Sequence, residues 1–437
     1  MILRSFSVAC LGVAALAAAT GPAAVTFNKD VLPILENRCQ ECHRQGEIAP
    51  MSFMTYTETR PWAKAIKAVV ATRKMPPWTA DPSVGHFAND RSLSQAEIDT
   101  LLAWVDSGSK EGNPKDAPKP REFATGWTIG QPDQIFEMPT AVEIPSSGVV
   151  DYTYEIIHTN FKQDMWIQAA EARAGSRRQM HHVIAFLRPP GSTWFQDRPI
   201  GVPFIPGHGA HAGQVDAQEA RQMATAEMIV GWAPGAIPLT LEPGQAKLIP
   251  AGSDLVLQLH YTPNGASGSD KTKIGLIFSK EPPKERVTTL SAINFFLKIP
   301  PGDANYESHS QFTVQHDVKL VSLMPHMHLR GKDFAFRAVY PTGETQDLLN
   351  VPHYDFNWQL TYDLKNQIVL PKGTRIECTA HYDNSPNNKF NPDPTKEVRW
   401  GDQTFEEMMI GFFDVAFDAN LDPRLIRVRQ APKAGSE

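Results

Sequence analysis

Short runs of alternating or wholly apolar residues recur beyond residue 120, separated by Gly, Pro, Asn and Asp. This alternation is typical of antiparallel strands joined by turns. One stretch near residues 214–227 has helical spacing instead. The pattern predicts a mainly β body built from antiparallel sandwiches. Its strongest runs are Tyr152–Ile157, Met165–Ala170, Val183–Leu187, Asp254–Tyr261, Lys273–Phe278, Val318–Met324, Phe334–Tyr340, Thr374–Tyr382 and Met408–Ala416.

The first quarter of the chain has a different period. Apolar residues recur at helical spacing over Val31–Arg38, Trp62–Thr72 and Ser94–Val105. Ser94 stands three residues before Glu97, which is the signature of a capping box at a helix start. Residues 107–120 are polar, rich in proline and without periodicity. We therefore predict a small all-α unit followed by a linker.

Length sets the number of units. At 437 residues the chain exceeds one ordinary domain. We predict a helical domain over residues 25–106, a linker over 107–120, and two sandwiches over 121–283 and 284–437, divided at the Pro-rich residues 281–284. Residues 1–24 predict a cleaved signal peptide, because Arg4 precedes the apolar run Val8–Ala19 and small residues follow. The mature protein is then expected to be periplasmic or secreted.

Composition excludes several classes of protein. The hydrophobic fraction of 41% and charged fraction of 21% are those of a globular chain. A net charge of −6 gives no basic surface for nucleic acid. After the signal peptide, no apolar run approaches the roughly 18 residues of a membrane helix. We expect neither a nucleic-acid partner nor a membrane span.

Cys39-Gln40-Glu41-Cys42-His43 is a C-x-x-C-H element. In c-type haem proteins the two thiols add to the haem vinyl groups and the adjacent His is an axial iron ligand. A redox C-x-x-C pair would instead require a βαβ context, which this region lacks. The motif predicts one covalent haem c held by Cys39, Cys42 and His43.

The sixth iron ligand should be a thioether or an imidazole on a loop. Met75 is favoured because two prolines follow it and stiffen its loop, while Met51, Met54 and His86 remain alternatives. A lone Met is more often a packing residue than a ligand. The Met75-Pro76-Pro77 segment resembles the M-P-P loop of planctomycete-type cytochrome c domains, and this resemblance implies that Met75 is the ligand.

Histidines cluster at three places in the β region. His181 and His182 are adjacent, His260 closes an apolar strand, and His326 and His328 follow another. Residues i and i+2 of a strand share a face, so His326 and His328 can hold one metal. His181 and His182 would point to opposite faces, so shared ligation requires a bulge or a strand end there.

Four segments carry a resemblance to a known family. Residues 180–186, residues 231–235 leading into 255–261, residues 325–332, and residues 407–408 resemble, in order, the copper-site segments of peptidylglycine α-hydroxylating and dopamine β-monooxygenases. These segments span most of residues 125–420. The resemblance implies two copper ions: an electron-transfer copper held by His181, His182 and His260, and an oxygen-binding copper held by His326, His328 and Met408.

The same resemblance implies a fold and an activity. Two jelly-roll-like sandwiches would hydroxylate an aliphatic or benzylic C–H bond with dioxygen at the catalytic residues His326, His328 and Met408. Electrons would come from an ascorbate-like reductant or a periplasmic redox protein, or through the haem. Imidazole suits copper in both oxidation states and thioether suits Cu(I), whereas non-haem iron of the oxygenase type requires a carboxylate. A non-catalytic periplasmic copper-binding or electron-transfer protein is the alternative.

Two positions depart from the family pattern. Met324 and Phe412 stand where the peptide-amidating enzymes have an Arg and a Tyr that hold the substrate carboxylate. Losing a charged donor removes an anchor of roughly 1.5–3 kcal/mol. We therefore expect an apolar or neutral small-molecule substrate, unless Arg330 has replaced the clamp. Cys378 has no disulfide partner, and its C-x-x-H spacing to His381 lacks the Met of a blue-copper site.

The haem motif makes a direct prediction. After expression with a cytochrome c maturation system, the protein should give a c-type pyridine haemochrome spectrum with one haem per chain. Met75→Ala should then abolish the weak long-wavelength thioether band of a His/Met haem. A band that survives would transfer the assignment to Met51 or Met54.

Overall fold

The structure is a computed structural model that describes residues 24–124, 126–206 and 217–426. The predicted signal peptide lies almost wholly outside these residues. The described chain is mainly β, with 35% of residues in strands and 13% in helices. The predicted mainly β class is therefore confirmed. Within the described ranges, no helix has the length and apolarity needed to cross a membrane.

Four of the five α-helices in the described residues fall where the 3.6-residue period predicts them, and the short helix Tyr56–Thr59 was not predicted. Glu97 donates its backbone N–H to the Ser94 hydroxyl at 3.2 Å, and its carboxylate accepts from the Ser94 N–H at 2.7 Å, so the predicted capping box is confirmed. Short π or 3-10 turns occur at Phe27–Val31, Arg60–Trp62, Pro114–Asp116 and Pro423–Leu425. The α-helices are α1 (Leu32–Arg38), α2 (Tyr56–Thr59), α3 (Ala63–Ala71), α4 (Gln95–Asp106) and α5 (Ala217–Ala224).

Every one of the nine predicted runs overlaps a strand. The strands are β1 (Gln134–Glu137), β2 (Val142–Ile144), β3 (Thr153–His158), β4 (Met165–Arg173), β5 (Met180–Arg188), β6 (Glu227–Trp232), β7 (Leu239–Thr240), β8 (Gln245–Ile249), β9 (Asp254–Tyr261), β10 (Gly268–Asp270), β11 (Lys273–Phe278), β12 (Glu285–Ile293), β13 (Lys298–Ile299), β14 (Tyr306–Thr313), β15 (Val318–His326), β16 (Gly331–Val339), β17 (Thr345–Val351), β18 (Tyr362–Leu370), β19 (Arg375–Tyr382), β20 (Val398–Arg399) and β21 (Ile410–Asp418).

One long sheet forms the backbone of the β body. It has nine strands in the order β1-β11-β4-β8-β12-β21-β15-β18, with β7 paired to β4. The sheets β3-β9-β5-β6 and β14-β19-β16-β17 have four strands each, and β10-β2 and β13-β20 are two-stranded. Apolar clusters built mainly from strands on either side of residues 281–284 form two cores.

The two halves share the long sheet at a single parallel contact. Gln245 and Ala246 of β8 pair with Glu285 and Arg286 of β12. The predicted division at residues 281–284 falls in the loop just before β12. The chain therefore changes halves there while the sheet continues through both.

Part of the predicted helical domain packs on the second half. Phe87 bridges to Leu364 of β18, and the backbone N–H of Ala88 donates to the Asp363 carbonyl at 2.8 Å. The ring of Trp78 packs on Tyr362 with centroids 4.9 Å apart. Residues 78–88 thus extend an edge of the long sheet, while α1, α3 and α4 form a separate apolar cluster.

A buried cation lies where the two halves meet. Lys247 of β8 is 2% exposed, and its ammonium donates to the Met228 carbonyl at 2.7 Å and to the Thr289 hydroxyl at 2.9 Å. Its Nζ lies 3.0 Å from Asp414 of β21 and 3.6 Å from Glu227. Residues from both halves therefore surround the Lys247 ammonium.

Lys247→Met should lower the free energy of unfolding by roughly 3–5 kcal/mol, because the buried Glu227 and the largely buried Asp414 lose the cation that faces them. Lys319→Met is the matched control, since Lys319 pairs with Glu285 near the surface. That change should cost less than about 1 kcal/mol. Urea unfolding of both variants measures the difference, and equal losses would contradict a special role for Lys247.

Candidate functional site

Three histidines converge where β5 and β9 pair. His182 lies opposite His260 in this antiparallel pair, and the register shifts between Met180 and His182. The irregularity that shared ligation requires is therefore present. The ligand atoms of His181, His182 and His260 all lie within 4.8 Å of one another, and all three residues are buried.

The ring nitrogens of this group suit a metal. His181 Nδ1 and His182 Nδ1 lie 3.2 Å apart. Two nitrogens that each lie about 2.0–2.1 Å from one metal ion are separated by about this distance. His182 Nε2 lies 3.2 Å from Gln258 Oε1, so Nε2–H donates a hydrogen bond to that oxygen and Nδ1 keeps the free lone pair. Among the described residues, His260 Nδ1 is buried without a hydrogen-bond partner.

A second group lies where β15 and β21 meet. His326 ends β15 opposite Ile410. Continuing the same register by two residues brings His328 opposite Met408. The rings of His326 and His328 are perpendicular, with centroids 5.2 Å apart, and Met408 is 2% exposed. The strand pairing and the bond from the His328 backbone N–H to Glu407 thus bring the Met408 segment beside His326 and His328.

Outer hydrogen bonds leave one nitrogen of each ring in this group available. His326 Nδ1 lies 2.8 Å from Gln359 Oε1, and His328 Nδ1 lies 3.2 Å from the Glu406 carbonyl. Both oxygens accept, so each Nδ1 carries the proton and Nε2 keeps its lone pair. His328 Nε2 is buried and has no partner within the described part of the chain. Two imidazole nitrogens, with a methionine on the adjoining segment, are the kind of donor set that copper takes.

Two aromatic rings contact both histidine groups. The Tyr152 ring centroid lies 4.5 Å from that of His260 and 6.1 Å from that of His328. The Phe356 ring stacks on His181 at 4.6 Å and lies 6.0 Å from His328. Single aromatic side chains therefore bridge the two groups.

Burial keeps these imidazoles neutral. It lowers the pKa of His181 and of His326 to about 4 and holds the pKa values of His182, His260 and His328 well below the ordinary value. Neighbouring histidines lower several of these pKa values further. Neutral imidazole is the form that binds metal ions, so these five residues could act as metal ligands at neutral pH.

Glu407 fixes the backbone around the second group. Its carboxylate accepts from the backbone N–H of His328 at 2.8 Å and from that of Arg330 at 2.6 Å. Since Glu407 directly precedes Met408, these bonds hold the methionine segment against the His326-His328 segment. The Glu407 side chain therefore acts as a positioning group.

A buried hydrogen-bond chain links the first group to the second half. Gln258 holds His182 and donates through Nε2 to the Tyr154 hydroxyl at 2.5 Å. Tyr154 in turn donates to both carboxylate oxygens of Asp402 at 3.0 Å. Burial raises the pKa of Asp402 to about 7. The orientation of the His182 imidazole thus depends on Asp402, which lies six positions before Met408.

The departures from the family pattern lie side by side. Met324 and Phe412 are opposite each other on β15 and β21, and they share one apolar cluster with Met408 and Trp194. Arg330, the alternative clamp, is buried; it donates to the Asn384 side chain at 2.9 Å and to a backbone carbonyl at 3.0 Å. Its guanidinium is thus already engaged by protein groups.

The C-x-x-C-H element forms a single tight turn. The backbone N–H groups of Cys42 and His43 donate to the Cys39 carbonyl at 3.1 and 2.9 Å. His43 Nδ1 lies 3.3 Å from the Met51 carbonyl, so its Nδ1–H donates there and Nε2 remains for a metal. Two thiols and one imidazole on a single turn fit covalent haem attachment.

The candidate sixth ligands differ in their surroundings. Met51 packs against the helical apolar cluster, and its carbonyl is already engaged by His43. Met54 and Met75 are half-buried, and His86 lies on the exposed part of the segment that joins β18. Met75 stays the predicted ligand.

Several site residues were missed by the sequence reasoning. Gln258 had a usable signal, because it stands two residues before His260 and so shares its strand face. Glu407 had one as well, since it is adjacent to Met408. Tyr152, Phe356 and Gln359 had none, because only tertiary packing brings them to the histidines.

Comparison with known proteins does not identify a family for this chain. No protein-family model matches the chain, and no curated protein matches it. The major capsid protein P2 of bacteriophage PM2 is 12% identical, with 65% of this chain and 99% of that chain covered and a TM-score of 0.26. A VP2 subviral particle of infectious bursal disease virus is 10% identical over 68% of this chain and 78% of that chain, with a TM-score of 0.19. Scores this low carry no argument.

Burial of neutral histidine makes stability depend on pH. Between about pH 4 and 6.5 the folded protein binds fewer protons at His326 than the unfolded chain does. The stability that neutral His326 contributes is therefore complete above pH 6.5 and is lost as the pH falls. From pH 7 to 5 the metal-free protein should lose about 2 kcal/mol more stability than His326→Phe.

Urea unfolding at the two pH values measures this difference. Glu407 and Asp402, whose pKa values are raised to about 7, act in the opposite direction but are common to both proteins. His353→Phe, at an exposed position, is the control and should keep the wild-type slope. Equal slopes for His326→Phe and wild type would contradict the prediction.

Proposed function

We propose that this protein is a copper-dependent monooxygenase that hydroxylates a C–H bond of a neutral, apolar small molecule. The proposal assigns two coppers, one to His181, His182 and His260 and one to His326, His328 and Met408, in two jelly-roll-like sandwiches of the peptidylglycine-hydroxylating kind. The observation that carries it is the pair of buried histidine groups: the ligand atoms of the first lie within 4.8 Å of one another, and both groups contact the rings of Tyr152 and Phe356. The resemblance of four sequence segments supports it independently.

The chain's own residues would supply geometry and exclude water. Copper, when bound, supplies the reduction of dioxygen and the abstraction of hydrogen. Gln258, Gln359 and the Glu406 carbonyl fix the imidazole tautomers, and Glu407 sets the position of the methionine segment. The apolar surroundings of Met408 favour a substrate without charge, because an unpaired charge there would be costly to bury.

Electrons enter from outside in this proposal. A covalent haem on Cys39 and Cys42, with His43 and Met75 as axial ligands, would form a small cytochrome c unit. An ascorbate-like reductant or a periplasmic redox protein would be the donor, and the haem a one-electron entry point. The predicted signal peptide would take the protein to the periplasm or outside the cell.

Close packing around Met408 favours one alternative. Trp194, Phe195 and Met223 share the Met408 cluster, so a protein that binds copper and transfers electrons without a substrate would have the same core. Reductant-dependent uptake of dioxygen by the copper-loaded protein separates the two functions. A hydroxylated product from an apolar substrate would establish the monooxygenase.

The site assignment predicts a copper count. The loaded wild type should hold two coppers per chain, and His260→Ala and His326→Ala should each hold one, because each loses an imidazole from a different group. Met408→His should keep two coppers but lose dioxygen uptake, since imidazole replaces the thioether that favours Cu(I). Metal analysis and oxygen-electrode measurements test both statements.

His309→Ala is the matched control, because His309 lies on the exposed side of β14, where its ring bonds to Glu307 and Thr379. It should keep both coppers and full uptake. Two coppers in His326→Ala would refute the assignment of the second site.

A further inference from the structure

The C-x-x-C-H turn contacts the β body through charged groups. Glu47 forms an ion pair with Arg177, and each side chain is 19% exposed. Glu47 also pairs with Arg44 at 3.0 Å, and Arg44 lies over the Phe123 ring at 4.2 Å from its centroid. The turn is therefore held to the body by partly buried interactions.

These contacts lie at the end of the β5-β9 pair where β5 begins. Arg177 stands four residues before His181, and β5 begins at Met180. The loop after Met75 reaches the same end: a Cβ on Gly235 would lie 3.5 Å from Pro77 and 3.2 Å from the Arg91 guanidinium.

Gly235 lies just beyond the end of β6 that pairs with the start of β5. It follows Trp232, the last residue of β6, by three residues, and Trp232 pairs with Val183, the neighbour of His182. Segments that flank both predicted axial ligands thus contact the β body near the start of β5, which carries His181 and His182.

We propose that this contact is the electron-entry interface, in which the Glu47–Arg177 pair and the packing of Pro77 and Arg91 on Gly235 position the haem-binding turn against the His181, His182 and His260 group. The inference rests on the proposed function. One electron would leave Fe(II) haem to give Fe(III), and one Cu(II) would become Cu(I), with no proton required. The second group would then receive its electron through the first.

Charge variants test the interface. Photoreduced flavin would reduce the haem of the anaerobic Cu(II) protein, and haem absorbance would follow its reoxidation. Arg177→Glu should slow this step about tenfold or more, because two carboxylates at a partly buried contact repel and shift the population away from the docked state. The double variant Glu47→Arg with Arg177→Glu should restore the rate in part, because the swapped pair attracts again while the new guanidinium also faces Arg44. Arg178→Glu, at the adjacent exposed position, should leave it unchanged.

Site variants test the direction of transfer. His260→Ala should abolish haem reoxidation by copper, whereas His326→Ala should retain it. If Arg177→Glu does not fold, Glu47→Gln removes the attraction without repulsion and should slow the step severalfold. Equal rates in all charge variants, or loss of transfer in His326→Ala instead of His260→Ala, would overturn the interface.

Haem and copper contents of the same samples separate this inference from the proposed function. A wild type that holds haem and two coppers, but whose transfer rate is indifferent to these charges, overturns only the interface. A wild type without haem or without copper overturns both. Restoration by the double charge swap supports the interface directly.

Discussion

The removal of five imidazoles from water is the constraint on which the rest of the site depends. A buried ring nitrogen without a partner is unfavourable, and a buried imidazolium still more so. The fold responds by assigning one nitrogen of several rings to an oxygen acceptor: Gln258 for His182, Gln359 for His326, and a backbone carbonyl for His328. Among the described residues, His260 Nδ1 and His328 Nε2 are buried without a hydrogen-bond partner, and a bound metal ion would provide one.

The polar residues around the histidines form part of the fold as well as of the site. Glu407 ties two backbone segments of the second half, and the chain from Gln258 through Tyr154 to Asp402 crosses from one half to the other. Buried networks of this kind contribute to a unique arrangement only when all their members are satisfied. A change at Asp402 would therefore alter the hydrogen bonding of the His182 imidazole in the first half.

The sequence predicted the elements better than their assembly. Apolar alternation located strands such as β9 and β15, and Ser94 with Glu97 located a helix start. The polar strand β14 and the edge strand β18 gave no such signal, because their exposed faces carry charged and amide side chains. The histidine groups were predicted from spacing and resemblance, whereas Tyr152, Phe356 and the packing of residues 78–88 on β18 depend on contacts distant in sequence. Local periodicity carries no information about these contacts.

The shared long sheet has a consequence for dissecting the protein. Because Gln245 and Ala246 of β8 pair directly with Glu285 and Arg286 of β12, halves made as separate fragments would leave the backbone groups of this pairing exposed on two strands. Unprotected edges are templates for association between molecules. Either fragment made alone is therefore expected to aggregate or to recruit a second copy. The genetic unit that can be transplanted or shuffled is the complete β body, not its halves.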